Sequence, residues 1–366
     1  MQTTIFDLMD ENEKEKFAPI VSNDWKWTFA DYPKKTNGLK VFSCFACGGG
    51  STMGYKLAGC EVLGCNEIDP KMNEIYIANH NPKYNYLMDI REFNKLEDLP
   101  DELYNLDILD GSPPCTTFST AGQREKTWGK EKKFREGQAA QTLDDLSFVF
   151  IETVKKLKPK VVIMENVKGL ILGEAWSYVK RIYSDFNNAG YCVNHWLLKA
   201  ERMGIPQTRH RVFFIAIRND LNIDPGSFDM SFNYAPIPYI NIKEGDGIEI
   251  KQDSQSYKIL KIANKNDKNL GDVFVRLGEE KRCFNDVIVW NDDIFPTVRA
   301  SFSCFRGEDT TKVSIEDIIH AQTFPEDYNF QPRTFSNVGY ICGMSVPPLM
   351  IKRIVTRLIE QGVFHK

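Results

Sequence analysis

The chain has 366 residues, 42% of them apolar and 12% aromatic, enough to bury a large core in one main domain with a smaller one attached. Its net charge of −4 excludes a protein drawn to nucleic acid by overall positive charge, so a polyanionic partner must be met by local patches. Nine cysteines over this length lack the density of a disulfide scaffold, no apolar run approaches the roughly 18 residues of a membrane span, and the opening MQTTIFDLMDENEKEKF has no signal-peptide pattern; reduced thiols in a cytoplasm are expected.

In chain order, residues 1–37 are charged and aromatic without periodicity and read as an arm. LKVFSCF then predicts a strand, followed by a glycine loop and a helix over STMGYKLAG. EVLGCNE predicts a second strand, PKMNEIYIANH a helix, and YNYLMDI and LDILDGS two more strands. DLSFVFIETVKKL has apolar residues at helical spacing until Pro159 stops it, and VVIMENV follows as a buried strand. Strands alternating with helices predict a doubly wound, Rossmann-like, mostly parallel α/β sheet. After RVFFIAIRND, residues 220 to about 310 are rich in Asn, Asp, Pro and Lys, with strand-like GIEI, DVFVRL and DVIVW and no strong helix, which predicts a smaller β-rich, irregular module. SVPPLMIKRIVTRLIEQGV closes the chain as an amphipathic helix opened by Pro347 and Pro348.

In an open parallel sheet the ligand crevice lies beyond the carboxyl ends of the strands. Glu67 ends the second predicted strand and Asp89 the third, GSPPC follows the fourth, and Glu165-Asn166 stand at the end of the fifth. Together with the loop CGGGSTMG these groups predict one cleft. Glycines let backbone approach a ligand, and a carboxylate about twenty residues on can accept from ribose hydroxyls, so a nucleoside cofactor is expected. The loop is not the dinucleotide G-x-G-x-x-G, which favours a cofactor with one ribose and no phosphate. Cys115 follows two prolines that fix the backbone, and the segment GQREKTWGKEKKFREG just downstream supplies cations that favour a nucleophilic thiolate. A four-thiolate zinc site from Cys44, Cys47, Cys60 and Cys65 is disfavoured, because Cys44 belongs to a predicted strand and Cys47 to the glycine loop. No metal is expected.

These residues resemble the cytosine-C5 DNA methyltransferases of restriction-modification systems, over most of residues 39–218 and 311–350. FACGGGSTMG is similar to the family's cofactor loop, NEIDP to its ribose-binding segment, SPPCTTFS to its nucleophile loop, ENVKGL to its Glu-Asn-Val motif and GIPQTRHRVFFIA to its Gln-x-Arg-x-Arg strand. SIEDIIHAQTFPEDY resembles the motif that organises the small domain, and GMSVPP the C-terminal cofactor motif. The resemblance implies S-adenosylmethionine as cofactor, held by Phe45, Gly48, Gly49, Glu67, Ile68, Asp89, Ile90, Pro113, Ser345 and Val346. It implies Cys115 as nucleophile, Glu165 at cytosine N3, and Arg211 with Arg209 holding the target ring. Ser119, Arg124, Lys126, Gln207 and Arg209 would contact DNA. The division implied is an arm 1–37, a catalytic and cofactor-binding domain 38–219 plus 335–366, and a target-recognition domain 220–334.

The expected enzyme methylates C5 of a flipped-out cytosine in a specific duplex sequence through a Cys115–C6 adduct, as a monomer beside a cognate restriction endonuclease in a prokaryotic or phage-encoded system. Two alternatives are a tRNA cytosine-C5 methyltransferase and a non-catalytic nucleoside- or DNA-binding module. The chain departs from the family pattern at Cys47 and Ser51 in the cofactor loop, Thr116 after the nucleophile, Glu316-Asp317 in the small-domain motif and Met344 in the C-terminal motif.

Overall fold

The alternation of strand-like and helical runs builds a sheet covered on both faces. The computed structural model describes residues 19–114 and 145–364. Its main sheet has seven strands: β1 Lys40–Cys44, β2 Glu61–Glu67, β3 Tyr84–Leu87, β4 Ile108–Gly111, β5 Val161–Val167, β6 Tyr191–Lys199 and β7 His210–Arg218, in the order β3-β2-β1-β4-β5-β7-β6. Strands β1 to β5 pair in parallel, whereas β7 runs antiparallel to both β5 and β6. The parallel strands share one carboxyl edge, and the chain order reverses beside β1, which opens a crevice there.

Successive residues of a strand face opposite sides, and the core divides accordingly. Val41, Ile108, Val161, Ile163, Phe213 and Ile215 join one apolar cluster, and Phe42, Leu109, Val162, Met164, Val212 and Phe214 join another. Helices α1 (Gly50–Leu57) and α10 (Pro348–Glu360) cover the first face. Helices α3 (Ile90–Lys95), α4 (Leu146–Leu157) and α5 (Trp176–Asn188) cover the second. Helix α2 (Pro70–His80) starts on the Asp69 side chain, which accepts from Lys71 and Met72 N–H, with Pro70 in its first turn. As the sequence predicts, α4 stops at Pro159, after Lys158 turns left-handed at φ 49°. Helix α10 approaches α1 at Gly54, where a Cβ would stand 2.4 Å from the Pro348 carbonyl oxygen.

The stretch Phe335–Glu360 is apolar and long enough to pass for a membrane span by composition. It is two helices, α9 (Phe335–Met344) and α10, separated by Ser345–Pro347 and largely buried inside the protein.

A second sheet of three strands, β10-β9-β8, comprises β8 Asp286–Val289, β9 Ser303–Arg306 and β10 Thr311–Lys312. The region before it is less extended than the sequence predicts. DVFVRL belongs to helix α7 (Leu270–Arg276), because Asn269 caps the helix at Asp272 N–H and Leu270, Val273 and Phe274 bury one face at helical spacing. A further helix, α6, spans Gln255–Leu260, and GIEI contributes only a bridge from Ile248 to Lys312. This sheet is tied to α8 (Ile315–Ala321) by a buried ion pair. Arg306 Nη2 reaches Asp317 at 2.8 Å and also donates to the Glu244 carbonyl at 2.7 Å, while Nη1 donates to the Gly245 carbonyl at 2.7 Å. Asp317 also accepts from the Tyr239 hydroxyl at 2.6 Å.

The described part of the N-terminal arm is strapped to the same region. Ile20 bridges to Tyr234, and the buried Trp27 donates its indole N–H to the Thr323 carbonyl at 2.9 Å.

Candidate active site

At the carboxyl ends of β1, β2 and β4 lies a cleft lined by Phe45, Glu67, Ile68, Asp69, Asp89 and Ile90, together with Cys47, Asn66, Met72, Met88, Ser112, Pro114, Leu146, Tyr340 and Met344. Five of the predicted cofactor residues therefore share it. Glu67 is its organising carboxylate. Oε1 accepts from the N–H groups of Ile68 and Asp69 at 2.8 Å, and Oε2 accepts from Cys47 N–H at 2.7 Å. Burial raises its pKa against the pull of those three donors. One acceptor direction at Oε2 remains for a ligand hydroxyl. Asp89 stands just beyond β3, where it caps α3 by accepting from Arg91 N–H at 2.8 Å and pairs with the Arg91 guanidinium at 3.3 Å. Phe45 occupies left-handed backbone at φ 56° with its ring 6.2 Å from that of Phe150, a conformation uncommon outside glycine.

Gly48, Gly49, Pro113, Ser345 and Val346 are not among the residues lining this cleft, and the two glycines pack on protein behind it. Gly49, at φ 82°, opens α1, and a Cβ there would stand 2.1 Å from His80 Nε2. Gly48 accepts from the Tyr328 hydroxyl at 2.5 Å. A Cβ at Gly50 would meet the Val346 carbonyl at 2.2 Å, so the Ser345-Val346 segment backs the glycine loop directly. Glycine here serves close packing of protein on protein more than approach to a ligand.

A nucleoside sulfonium such as S-adenosylmethionine fits this lining. Asp69 Oδ2 is buried in the cleft wall without a hydrogen-bond partner among the described residues, so it can accept from a donor or face a positive centre. Phe45, Met72 and Met88 offer apolar contact for a flat base.

One strand over, Glu165 in β5 is buried and pairs with Arg211 of β7, Oε1 to Nε at 2.8 Å. Asn166 donates to the Pro113 carbonyl at 3.3 Å, so the Glu-Asn pair both presents a carboxylate and pins the proline turn that precedes position 115. Below them, Asp110 accepts from Ser43 at 2.6 Å and Tyr55 at 3.1 Å, and burial pushes its carboxyl up to about 7. Arg211 lies at the junction of a second, wider cleft walled by Lys168, Thr208, His210, Phe284, Asn285 and Arg299.

Gln207 and Arg209, expected to meet DNA or the target ring, are turned inward. Gln207 is fully buried, donates to the Ala321 carbonyl and Gln322, and accepts from Val298 N–H. Arg209 donates to the carbonyls of Val298, Gly343 and Ser345 at 2.9 to 3.1 Å. Both side chains are buried and bonded mainly to main-chain groups of residues 298–345, which docks those segments on the entry to β7 and turns both residues away from the clefts. Cys115, Ser119, Arg124 and Lys126 lie outside the described residues.

Among the described residues, one group could ligate a metal: Glu244, His320 and Glu326. Lys26 already stands 3.1 Å from Glu326 and 3.6 Å from Glu244, so these carboxylates have a cation and form an ion-pair network away from both clefts.

The profile of the C-5 cytosine-specific DNA methylases matches residues 39–360, an interval that takes in both clefts. The chain belongs to that family. The methylase is 28% identical over 359 residues to the type II methyltransferase M.FnuDI of Fusobacterium nucleatum, covering 90% of this chain and 96% of that protein. It is 32% identical over 199 residues to the type II methyltransferase M.HhaI of Haemophilus parahaemolyticus, covering 54% and 55%. Its fold is similar to that of a crystallised DNMT2 variant from Spodoptera frugiperda, with TM-score 0.61, 15% identity, and 88% and 100% of the two chains covered. Membership fixes the reaction class as DNA cytosine-C5 methylation, on the doubly wound sheet that the sequence predicts.

Sequence reading missed Asn66, Asp69, Met72, Met88, Tyr340 and Met344 as lining residues. For Asp69 a signal existed: an Asp-Pro pair at a helix start, two residues beyond Glu67, the predicted ribose carboxylate.

Proposed function

We propose that the methylase transfers a methyl group from S-adenosylmethionine to C5 of a cytosine turned out of a specific duplex sequence, with Cys115 bonding transiently to C6. The observation that carries this reading is the adjacency of the strand ends of β4 and β5. Ser112 and Pro114 bound the carboxylate-lined cleft, Cys115 follows Pro114 in sequence, and the buried Glu165–Arg211 pair stands one strand away at the wider cleft.

Cytosine C5 is a poor nucleophile. Addition of the Cys115 thiolate at C6, with Glu165 holding a proton at N3, places electron density on C5 as an enamine. Arg211 fixes the Glu165 carboxylate and faces the O2 side of the ring. When bound, S-adenosylmethionine supplies a sulfonium-activated methyl group beside this ring. The enamine would supply the electron pair for the C5–methyl bond while the S–methyl pair stays on the cofactor's sulfur, which would leave as the neutral thioether S-adenosylhomocysteine. A base then takes the C5 proton, the C5–C6 double bond returns, and Cys115 leaves as thiolate. Glu67 holds the ribose hydroxyls and Asp89 the adenine amine, with Phe45 against the base and Ile68 and Ile90 beside it.

A ring attacked on its face cannot stay in the stack, so the cytosine leaves the duplex. Ser119, Arg124 and Lys126 meet the DNA after Cys115, and residues 220–334 read the sequence. The catalytic part comprises 38–219 and 335–366, in a monomeric cytoplasmic enzyme that works beside a restriction endonuclease, as the type II names of its relatives suggest.

Base-resolution methylation sequencing of a heterologous host expressing the full chain should show 5-methylcytosine at one short sequence. Cys115→Ser should lower the rate by at least about 10³-fold, and a 5-fluorocytosine duplex should trap the wild type covalently. Methylation confined to tRNA, or a serine variant at full speed, would refute the reading.

A further inference from the structure

Asp110 is a buried carboxyl that takes no part in the bond-making steps above. It is 2% exposed on β4, in register with Ser43 of β1 and Ile163 of β5. Residues two apart on a strand share a face, so Glu165, two beyond Ile163, stands diagonally across from Asp110 on the same face. A strand spacing of about 4.8 Å and a rise of about 3.3 Å per residue put the two Cα atoms about 8 Å apart. Glu165 in turn meets Arg211 at 2.8 Å and the field of the buried Arg209.

The cage around Asp110 suits an acid that changes its charge. Oδ2 accepts from the Ser43 hydroxyl at 2.6 Å and Oδ1 from the Tyr55 hydroxyl at 3.1 Å, and no cation pairs with it among the described residues. Hydroxyls can donate to an ionised carboxyl or accept from a protonated one, so both forms are accommodated. The ionisable groups facing it are Cys44 on β1, Tyr55 on α1, Tyr76 on α2 and Glu165 on β5, with the Ser43 and Ser51 hydroxyls beside them. Burial holds the Cys44 thiol and both phenols well above their ordinary ranges, so near neutral pH they carry no charge. Burial also lifts the Asp110 carboxyl to about 7, against the pull of its hydroxyl donors and with a push from Glu165.

Such a charge answers a difficulty in the reaction. A guanidinium beside a carboxylate favours the ionised form, yet the enamine step needs a proton held between Glu165 and N3. A second negative charge on the same face opposes the loss of that proton.

Resting on the reading of Glu165 as the acid at N3, we propose that Asp110 is a positioning residue for this proton: its negative charge, one strand from Glu165, offsets Arg211 and keeps the proton between Glu165 and N3 as pH rises. It touches no substrate, and it is silent while it is itself protonated.

Single-turnover methylation by the full chain, with saturating S-adenosylmethionine and the mapped target duplex, is followed from pH 6 to pH 9.5. Asp110→Asn keeps the shape of the protonated acid and lacks its charge. It should match the wild type within about 2-fold at pH 6, and its rate should fall about 0.5 to 1 pH unit earlier on the alkaline side. Beyond that fall the deficit should reach about 3- to 10-fold. Tyr55→Phe, which takes one donor from the ionised carboxyl, should move the fall the same way by less. In a Glu165→Gln background, Asp110→Asn should add no further pH-dependent loss. S-adenosylhomocysteine should bind Asp110→Asn within about 2-fold of wild type in calorimetry, which shows the helix after the glycine loop undisturbed. Coincident pH profiles overturn the proposal, and so does an equal loss at every pH, which marks a packing role. A Glu165→Gln enzyme at full speed overturns the reading of Glu165 itself, and this inference with it.

Discussion

The two clefts of this methylase are built by different means. The carboxylate-lined cleft sits at the ends of parallel strands, and its acidic groups are held mostly by main-chain N–H groups close by in sequence: Glu67 by Ile68 and Asp69, with Cys47 reaching in from the end of β1, and Asp89 by Arg91. The wide cleft is bounded on one side by β5 and β7 and on the other by residues 284–299, brought from a region with a small sheet of its own. Its groups are held over long sequence distances, as Arg209 holds Val298, Gly343 and Ser345. A site fixed by neighbours is robust to changes elsewhere. A site fixed by distant partners depends on the whole chain being assembled.

Breaking the Glu165–Arg211 pair should have the largest effect. Glu165→Gln keeps the size of the side chain but removes the proton-holding acid, and should lower methylation by roughly 10²- to 10⁴-fold in single-turnover assays. A loss below tenfold would remove Glu165 from the chemistry. The distant anchorage comes next. Asp317→Ala leaves Arg306 buried at 1% exposure without its partner and should cost about 3–5 kcal/mol in urea unfolding. An unchanged midpoint would show that the small sheet does not depend on this pair.

A smaller, local effect is expected in the cofactor cleft. Glu67→Gln turns an amide NH₂ toward N–H donors and should weaken S-adenosylhomocysteine binding by about 10- to 100-fold in calorimetry, with folding retained. The mildest effect is on pH dependence. Burial raises the Asp110 carboxyl to about 7, with Glu165 adding repulsion, so the folded state is favoured while this group is protonated. That contribution is complete below the ordinary carboxylate range near pH 4 and is lost as pH climbs through about 7. Relative to Asp110→Asn, the wild type should lose unfolding free energy between pH 5 and pH 8; parallel profiles would contradict this.

Much of the first cleft was legible because strand-end carboxylates and a glycine turn are local signals. Glu67 and Asp89 could be placed from the strand pattern alone, and Phe45 from the resemblance of FACGGGSTMG to the family's cofactor loop. Tyr340 and Met344 could not, because they reach the cleft from helix α9, nearly three hundred residues further along the chain. Gln207 and Arg209 misled for a related reason. Their spacing in Gln-x-Arg-x-Arg says that side chains project from the entry to β7, but not that two of them meet protein carbonyls and only Arg211 lines the wide cleft. DVFVRL misled through composition: β-branched residues suit a strand, yet the Asn269 cap and one buried face made a helix.

By itself the sequence determined the class of fold, the reaction family and the acidic lining at the strand ends, since periodicity, turn residues and motif order are properties of neighbouring residues. Tertiary structure alone decided which polar side chains are spent inside the protein and which face a cleft. It also decided that Phe284 and Arg211, far apart in sequence, line the same cleft. Hydrogen-bonding capacity is used up by whatever partner the fold brings within about 3 Å, and that partner is set by the packing of distant segments.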